Sequence, residues 1–248
     1  MDPNEFDVMY RVEDTLWWYR GMQHITRSLI QRHYAHGAAL RILDTGCGTG
    51  AGMRWLADYG CVTGIDFSAR ALAYTRLRGL PRSAQASIVH LPFPDEHFDL
   101  LTSFDVVLML SIEDCQRALH EFARVLRPGG RVIVRVAAYD WLRGTHDTHW
   151  DVQHRYTTNE LQTLLSRAGF VVEQASYANM WLFPIAAAKR LAERVLPIPA
   201  ESDSAIDPGP FNALLTRVLA SEARLMRWMN LPFGLSVMAL AQKKHGEI

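Results

Sequence analysis

The stretch that decides the fold reads ILDTGCGTG and occupies residues 42–50. Its apolar start predicts a buried strand, its glycines predict a tight turn, and residues 51–59 have the pattern of a helix. A glycine-rich turn between a strand and a helix brings backbone N–H groups and the positive end of the helix close to a ligand. We therefore expect a ligand site at this turn, with a plain strand–helix turn as the alternative.

The residues around this turn continue an alternation of strands and helices. Strands are predicted at residues 40–45, 61–65, 86–89, 98–107 and 131–137. Helices are predicted at residues 51–59, 69–78 and 116–126, and residues 1–37 also have a helical pattern. This alternation predicts the α/β class, with parallel βαβ units in a doubly wound sheet.

Beyond residue 139 the alternation stops. The pattern there predicts a helix at 158–168, a strand at 170–177, helical residues at 180–195, a loop at 196–210, a helix at 211–229 and a last strand at 235–241. About fifty residues separate the last two strands, which indicates a helical insertion and not a second core. We expect one α/β domain formed by 40–179 and 231–248, a helical lid at 1–39 and an insertion at 180–230.

Composition excludes several classes of protein. Lys and Arg together number 26, as do Asp and Glu, so the formal charge is zero. Nucleic-acid-binding proteins usually have a basic excess, and we expect no nucleic-acid partner. Cys47, Cys61 and Cys115 lack the spacing of a disulfide framework or a zinc site. No uncharged run reaches the roughly 20 residues of a transmembrane helix, and the N-terminal residues do not resemble a signal peptide. These features predict a cytoplasmic protein without a transmembrane segment.

The glycines alone do not distinguish between two kinds of adenosine cofactor. Residues 46–51, GCGTGA, match the G-x-G-x-x-G/A pattern of dinucleotide sites, with Asp66 about twenty residues later as the acid for the ribose. Asp44 argues against that assignment, because a carboxylate two residues before the first glycine would repel a pyrophosphate but pair with a cationic ligand. An NAD(P)-dependent oxidoreductase on a Rossmann-like fold stays open as an alternative.

Four motifs together resemble the class I S-adenosylmethionine-dependent methyltransferases, most closely the small-molecule enzymes of the methyltransferase type 11 group. These motifs are LDTGCGTG at 43–50, VTGID at 62–66, LPFPD at 91–95 followed by Phe98-Asp99, and RVLRPGG at 124–130. Similar sequences also share WWYRG at 17–21, HRYT at 154–157 and LPFGL at 231–235, so the resemblance covers nearly the whole chain.

This resemblance implies a Rossmann-like seven-stranded sheet with an antiparallel last strand and S-adenosyl-L-methionine as the cofactor. It assigns the turn residues Asp44, Gly46, Cys47, Gly48 and Gly50 to the methionine moiety of the cofactor. It assigns Asp66 to the ribose hydroxyls, and Phe67, Ser87 and Ile88 to the adenine region. Phe104 and Asp105 are assigned to the neighbourhood of the methyl group. The family often has an acid near Ser87 and a Glu-His pair after its Asp-Val-Leu, and this chain has neither. A non-catalytic protein that binds S-adenosylmethionine is therefore a further alternative.

Aromatic residues at the start of the second helical segment suggest a cover for the cofactor. Trp17, Trp18 and Tyr19 follow one another, and three successive helical positions cannot all face one core. We expect this segment to be a lid, with Tyr19 and Arg20 in contact with the cofactor. Core packing of these rings is the alternative.

Methyl transfer needs positioning above all, but a hydroxyl, amine or acidic carbon acceptor also needs a base. The candidates are His146, His149 and His154, with Asp140 and Tyr156 nearby. In the alternative interpretations, His154-Arg155-Tyr156 only fastens the loop to the next helix, or the three histidines bind a metal with Asp147. The histidine spacing is irregular, so we expect no metal.

The inserted helix predicted at 211–229 has an apolar stripe. It consists of Leu214, Leu215, Val218, Leu219, Leu225, Met226 and Met229. We expect the stripe to contact the sheet. The alternatives are a lid over an apolar substrate, a dimer face, and a peripheral membrane contact to which Arg217, Arg224 and Arg227 would contribute.

Taken with the resemblance, the sequence predicts a methyltransferase, monomeric or homodimeric, that acts on a small-molecule acceptor. The atom that accepts the methyl group, O, N or C, is undetermined.

Overall fold

A computed structural model of the chain describes residues 4–144, 147, 148, 150–195 and 209–244. The strands are β1 Leu40–Thr45, β2 Gly60–Asp66, β3 Ser83–Gln85, β4 Phe98–Phe104, β5 Leu126–Ala137, β6 Phe170–Ala178 and β7 Ser236–Lys243. The α-helices are α1 Asn4–Val12, α2 Trp17–Ile30, α3 Ala51–Leu56, α4 Ala69–Leu77, α5 Ile112–Val125, α6 Thr158–Arg167, α7 Phe183–Val195 and α8 Asn212–Leu225. The predicted loop at 196–210 lies mostly outside the described residues.

The strands form one seven-stranded sheet in the order β3-β2-β1-β4-β5-β7-β6. Strands β1 to β5 pair in parallel, while β7 lies between β5 and β6 and is antiparallel to both. Strands β4 and β7 are buried on both faces over most of their length because helices cover both sides of the sheet. The predicted Rossmann-like sheet with an antiparallel last strand is confirmed.

Several element boundaries differ from the prediction. The strand predicted at 86–89 was wrong, because β3 ends at Gln85 and Ser87 forms only an isolated bridge with His90. Strand β4 ends before the predicted residue 107, since Asp105 has a φ of 58° and a short 3₁₀ turn follows at Val107–Met109. The N-terminal residues are helical as predicted and form two helices, α1 and α2.

Side-chain caps explain where three of the helices begin. Ser68 accepts from the backbone N–H of Ala71 at the start of α4, and Ser111 accepts from Asp114 at the start of α5. Thr157 and Glu160 form a reciprocal capping box at the start of α6. The Ser111 cap starts α5 four residues earlier than predicted, so this helix gains an extra turn.

The inserted helix α8 packs against α2 of the N-terminal segment. Gly21 permits the close approach, because a Cβ there would lie 2.6 Å from the side chain of Leu219. The side chain of Asn212 accepts from the backbone N–H of Trp17 at 2.7 Å and donates to the carbonyl of Thr15 at 2.9 Å. The apolar stripe of α8 therefore has α2 as a main partner, whereas we expected the sheet.

A buried carboxylate fixes α8 to the end of β6. Glu222 is 0% exposed and accepts from the backbone N–H groups of Asn179 at 2.6 Å, Met180 at 2.7 Å and Trp181 at 3.1 Å. Burial raises the pKa of Glu222, and the N–H donors oppose that shift. Within the described ranges, no helix has the length and apolar character needed to cross a membrane.

We expect Glu222→Gln to lower the free energy of unfolding by about 2 to 4 kcal/mol, because an amide NH₂ group would face backbone N–H donors that the carboxylate now satisfies. Urea denaturation followed by circular dichroism measures this change. Glu113→Gln is the control, since Glu113 is exposed and pairs only with Arg117 on its own helix. Equal stability of the two variants would contradict this role for Glu222.

Candidate functional site

A cavity of about 470 Å³ lies at the carboxyl ends of the central strands, where open α/β sheets bind ligands. The glycine turn and α3 form one wall, α1 and α2 cover it, and the ends of β1, β4 and β5 close it. Its lining includes Tyr19, Asp44, Trp55, Phe104 and Arg135. The sequence-predicted residues Arg20, Gly46 and Cys47 also line it.

The glycine turn is fully formed. Gly46, Gly48 and Gly50 have φ angles of 68°, 54° and 94°, in the left-handed region that other residues rarely adopt. A Cβ at Gly46 would collide with the side chain of Val106, which follows β4. Cys47 is buried, and burial raises the pKa of its thiol, which fits a small core residue rather than a nucleophile.

Asp44 is a buried carboxylate at the mouth of this turn. It is 3% exposed, and its Oδ1 accepts from the Thr102 hydroxyl at 2.7 Å. Burial raises the pKa of Asp44 to about 7. No ion pair links Asp44 to a cation among the described residues, and it borders the cavity. A buried carboxylate in this state fits a cationic group of a ligand, which would restore its charged form.

Asp66 fastens the glycine turn to the end of β2. Its Oδ2 accepts from the backbone N–H of Gly48 at 2.9 Å, and its Oδ1 accepts from Ser68 at 2.8 Å. Burial raises the pKa of Asp66. Each carboxylate oxygen can accept a second hydrogen bond, so these contacts leave Asp66 able to bind ligand hydroxyls. This structural role was not predicted from the sequence.

The residues predicted for the adenine region lie near Asp66 but differ in exposure. The Phe67 ring is 77% exposed, while Ile88 is buried. The backbone N–H of Ala86 donates to the carbonyl of Asp66 at 3.1 Å, which brings the segment of Ser87 to this end of the sheet. None of Phe67, Ser87 and Ile88 lines the cavity described above.

Helix α1 covers the glycine turn, and its contacts were not foreseen. Glu13 hydrogen-bonds the hydroxyl of Thr49 and forms an ion pair of 2.7 Å with Arg78. Both side chains of this ion pair are buried. The Met9 side chain lies over Gly48, where a Cβ would be 2.9 Å from its methyl group. The position of Glu13 just before the aromatic helix α2 was the one sign of a role in the sequence. Its partners Thr49 and Arg78 could not be predicted, because they lie far from Glu13 along the chain.

Aromatic rings and one guanidinium surround the end of β4. Arg135 on β5 contacts Oδ2 of Asp105 through Nε at 2.8 Å and Nη2 at 2.6 Å. Its guanidinium carbon lies 4.7 Å from the ring centroid of Trp18 and 5.0 Å from that of Phe104. Burial raises the pKa of the Tyr19 hydroxyl nearby. Arg135 was missed, although a charged residue inside the apolar run VIVRVA was a signal.

Three of the predicted catalytic residues, Asp140, His154 and Tyr156, form a group that does not line the cavity. His154 Nδ1 lies 3.1 Å from Asp140 Oδ2, and its Nε2 lies 3.6 Å from Glu160. Tyr156 is fully buried against His154, and burial raises its pKa. His146 and His149 lie outside the described residues. A base role for His154, Asp140 or Tyr156 stays a prediction.

The same segment also has contacts that fasten it. Arg155 forms a two-pronged ion pair with the buried Asp147, at 2.7 Å and 3.0 Å, and donates to the carbonyl of Ala138. The backbone N–H groups of Gln153 and His154 donate to the carbonyl of Leu108. The part of the chain that the structure describes contains no cluster of His, Cys, Asp and Glu residues suited to a metal ion.

Comparison with known proteins gives one family and several relatives. Residues 43–134 match the family described as methyltransferase domain. A probable S-adenosylmethionine-dependent methyltransferase of Mycolicibacterium smegmatis is 32% identical over 167 residues, which cover 65% of this chain and 62% of that protein. A demethylmenaquinone methyltransferase of Tropheryma whipplei is 40% identical over 101 residues, which cover 39% of this chain and 41% of that protein. This chain therefore spans less than two thirds of the length of these relatives.

Solved structures share the fold at lower sequence identity. The putative methyltransferase of Haloferax volcanii, solved in complex with the activator Trm112, superposes with a TM-score of 0.63 at 19% identity and covers 99% of this chain and 96% of its own. An S-adenosylmethionine-dependent methyltransferase from Mesorhizobium loti gives a TM-score of 0.58 at 20% identity over 88% of this chain and 98% of its own.

We expect Asp44→Asn to raise the free energy of unfolding by about 2 to 4 kcal/mol at pH 8. The pKa of Asp44 is about 7 in the folded chain, whereas its ordinary value is 3.8. The folded state therefore favours the protonated carboxyl group, and the free energy of unfolding falls as the pH rises from about 4 through 7. An asparagine oxygen still accepts from Thr102 and carries no charge. Urea denaturation at pH 8 and at pH 4 measures the difference, which should vanish at pH 4.

Asp95→Asn is the control for this experiment, because Asp95 is exposed and pairs with Arg124. If Asp44→Asn were no more stable than the unmodified chain at pH 8, the ionised carboxylate of Asp44 would not destabilise the folded state, and the prediction would be wrong.

Proposed function

We propose that this protein transfers a methyl group from S-adenosylmethionine to a small-molecule acceptor, and that residues 43–134, which match the methyltransferase domain family, act as its class I cofactor-binding domain. The observation that carries the proposal is Asp44. A buried carboxylate without a described cationic partner, beside a left-handed glycine turn, suits a ligand that carries an amine. It does not suit a pyrophosphate, so it favours this cofactor over a dinucleotide.

The residues around the turn fit the parts of this cofactor. Asp44 would pair with the amine of its methionine moiety, and the spare lone pairs of Asp66 would accept from its ribose hydroxyls. Tyr19 and Arg20 would approach the methionine end from α2, which lines the cavity. When bound, S-adenosylmethionine supplies an electrophilic methyl carbon on a sulfonium group. The protein's own task is to hold that carbon and the acceptor in line and to exclude water.

Helix α1 is the part of the proposed N-terminal lid that closes on the turn. The ion pair of Glu13 with Arg78, together with Asp7 on Arg70 and Tyr74, fastens α1 to α4. Met9 covers the backbone at Gly48. Exclusion of water by this helix would strengthen the electrostatic contacts of Asp44 and Asp66.

A base is needed only if the acceptor atom carries a proton. We propose His154 for that role, because Asp140 contacts one of its ring nitrogens and so orients the ring, as the acid of a His–Asp pair does. The contacts of His154 with Leu108 hold this segment beside the turn after β4, next to Asp105. The attacking atom of the acceptor, O, N or C, is what decides whether this base acts.

The direct test of the function is binding followed by turnover. We expect S-adenosylmethionine and S-adenosylhomocysteine to bind in calorimetry, and NAD and NADP to give no heat. Incubation with methyl-labelled S-adenosylmethionine and a pool of small metabolites should then yield a labelled product by mass spectrometry. Binding of NAD in place of S-adenosylhomocysteine would overturn the proposal in favour of an oxidoreductase. Binding without a labelled product from any pool would favour the non-catalytic alternative.

We expect Asp66→Asn to weaken S-adenosylhomocysteine binding by about 1.5 to 3 kcal/mol, because charge-assisted hydrogen bonds to the ribose become neutral or are lost. Isothermal calorimetry measures the affinity, and circular dichroism checks that the fold survives the loss of the Gly48 and Ser68 contacts. The exposed Asp95→Asn variant should bind normally. An unchanged affinity in a folded Asp66→Asn variant would remove this residue from the site.

We expect His154→Ala to keep its affinity for S-adenosylhomocysteine and to lose about 10² to 10⁴ in the rate of methyl transfer, the usual contribution of a placed base. The label-transfer assay measures the rate. Arg155→Ala, which removes the ion pair with Asp147, is the matched control and should lower thermal stability more than His154→Ala does. A His154→Ala variant with near-normal kcat but lower stability would show that this residue only fastens the loop.

A further inference from the structure

Arg135 is a charged residue in a buried part of the sheet. It lies near the carboxyl end of β5, it is 9% exposed, and its neighbours along the strand, Val134 and Val136, are fully buried. Placing a guanidinium in such surroundings is costly unless its charge and its N–H donors are satisfied. The partners of Arg135 therefore indicate what it is for.

The pairing of Arg135 within the protein is incomplete. Its Nε and Nη2 both contact a single oxygen, Oδ2 of Asp105. Across the described ranges, its Nη1 group makes no hydrogen bond, and the side chain borders the cavity. An N–H group that has no protein partner, on a side chain that borders the cavity, is available to a group inside it.

The walls beside this guanidinium are aromatic. Phe104 and Trp55 line the cavity and stack on each other with ring centroids 6.3 Å apart and planes inclined by 26°, while Trp18, which does not line the cavity, lies against the guanidinium from another side. Tyr19 also lines the cavity, and its hydroxyl has no hydrogen bond to a described residue. Flat rings prefer to stack on such walls. A planar ligand with an anionic group matches both the walls and the free donors.

Three of the other acids that line the cavity are paired within the protein, whereas the lining Arg20 donates to the carbonyl of Asp14 and has no ion pair among the described residues. Glu13 pairs with Arg78, Asp14 pairs with Arg54, and Asp58 pairs with Arg27. Asp44 has no such partner and suits a cation. The cavity thus presents a buried acid for a cationic group near the glycine turn and a guanidinium with spare donors at the end of β5. These opposite charges suit a cationic group and an anionic group among the molecules that bind in the cavity.

We propose that Arg135 is the anion-binding residue of the acceptor site, and that the methyl acceptor is a planar aromatic acid whose carboxylate pairs with this guanidinium. The proposal deepens the proposed function and rests on it, because it divides one cavity between cofactor and acceptor. Asp105 then acts as a positioning residue, since it holds two nitrogens of the guanidinium and leaves the third facing the cavity. A guanidinium suits this task because it binds a carboxylate with a fixed geometry.

The test compares 2-naphthoate with 2-naphthamide, which have the same ring system and differ in charge. Calorimetry is run with and without saturating S-adenosylhomocysteine on the unmodified chain and on Arg135→Gln. We expect the unmodified chain to bind naphthoate about tenfold or more tightly than naphthamide, because the charge-assisted hydrogen bonds are made only by the acid. Arg135→Gln should lose that preference and keep its S-adenosylhomocysteine affinity within about twofold.

Arg131→Gln is the matched control, because Arg131 lies on the same strand and pairs with Glu173 away from the cavity. It should keep the preference for the acid. The double variant Arg135→Gln/Asp105→Asn guards against misfolding, since it leaves no unpaired carboxylate, and it should also lose the preference.

Three outcomes would overturn the inference. The first is equal binding of acid and amide by the unmodified chain, and the second is a preference that survives in Arg135→Gln. The third is a loss of S-adenosylhomocysteine affinity in a folded Arg135→Gln variant, which would place Arg135 in the cofactor site. Failure of S-adenosylhomocysteine to bind the unmodified chain would instead refute the proposed function, and the comparison without it would still test the preference of Arg135 for an acid.

Discussion

The buried carboxylate of Asp44 sets the conditions for everything around it. It has the Thr102 hydroxyl as its hydrogen-bond donor and no described cation as a partner, and burial holds its pKa near neutrality. A group in this state destabilises the chain when it is ionised and gains most from a ligand that brings a positive charge. The left-handed glycines and the carboxylate of Asp66 keep the backbone beside it in a shape that admits such a ligand.

Three other buried acids fasten the segments that surround the central sheet. Glu13 ties α1 to the glycine turn through Thr49 and Arg78. Glu222 ties α8 to the end of β6 through backbone N–H groups. Asp147 ties the segment after β5 to Arg155. In each case the carboxylate has donors in the protein, which Asp44 largely lacks. This difference separates these three acids, which hold the fold together, from Asp44, which we assign to the cationic group of a ligand.

The candidate site was predictable where its residues are close together in the sequence. The turn of Gly46, Gly48 and Gly50, with Asp44 before it, is a local pattern, and the structure has these residues in the expected turn. The roles of Arg135 and Glu13 were not predictable, because their partners lie on other elements and the pairing depends on how those elements meet. His154 illustrates both levels. The sequence predicted that His154 lies just before a capped helix. Its contact with Asp140 was not predictable, because it depends on the path of the loop between the two residues.

By itself, the sequence determined the order and type of the elements in the central sheet and the position of the glycine turn, because apolar periodicity and glycine placement act over a few residues. Residues 86–89 show the limit of that reasoning, since a predicted strand became a largely half-buried turn once β3 had ended. Only the tertiary structure decided that α8 packs on α2, that α1 closes over Gly48, and that Arg135 faces the cavity with an N–H group free. These outcomes, the free N–H group being one that holds among the described residues, depend on contacts between residues far apart in the chain, whose burial and charge are set by the assembled fold and not by any local pattern.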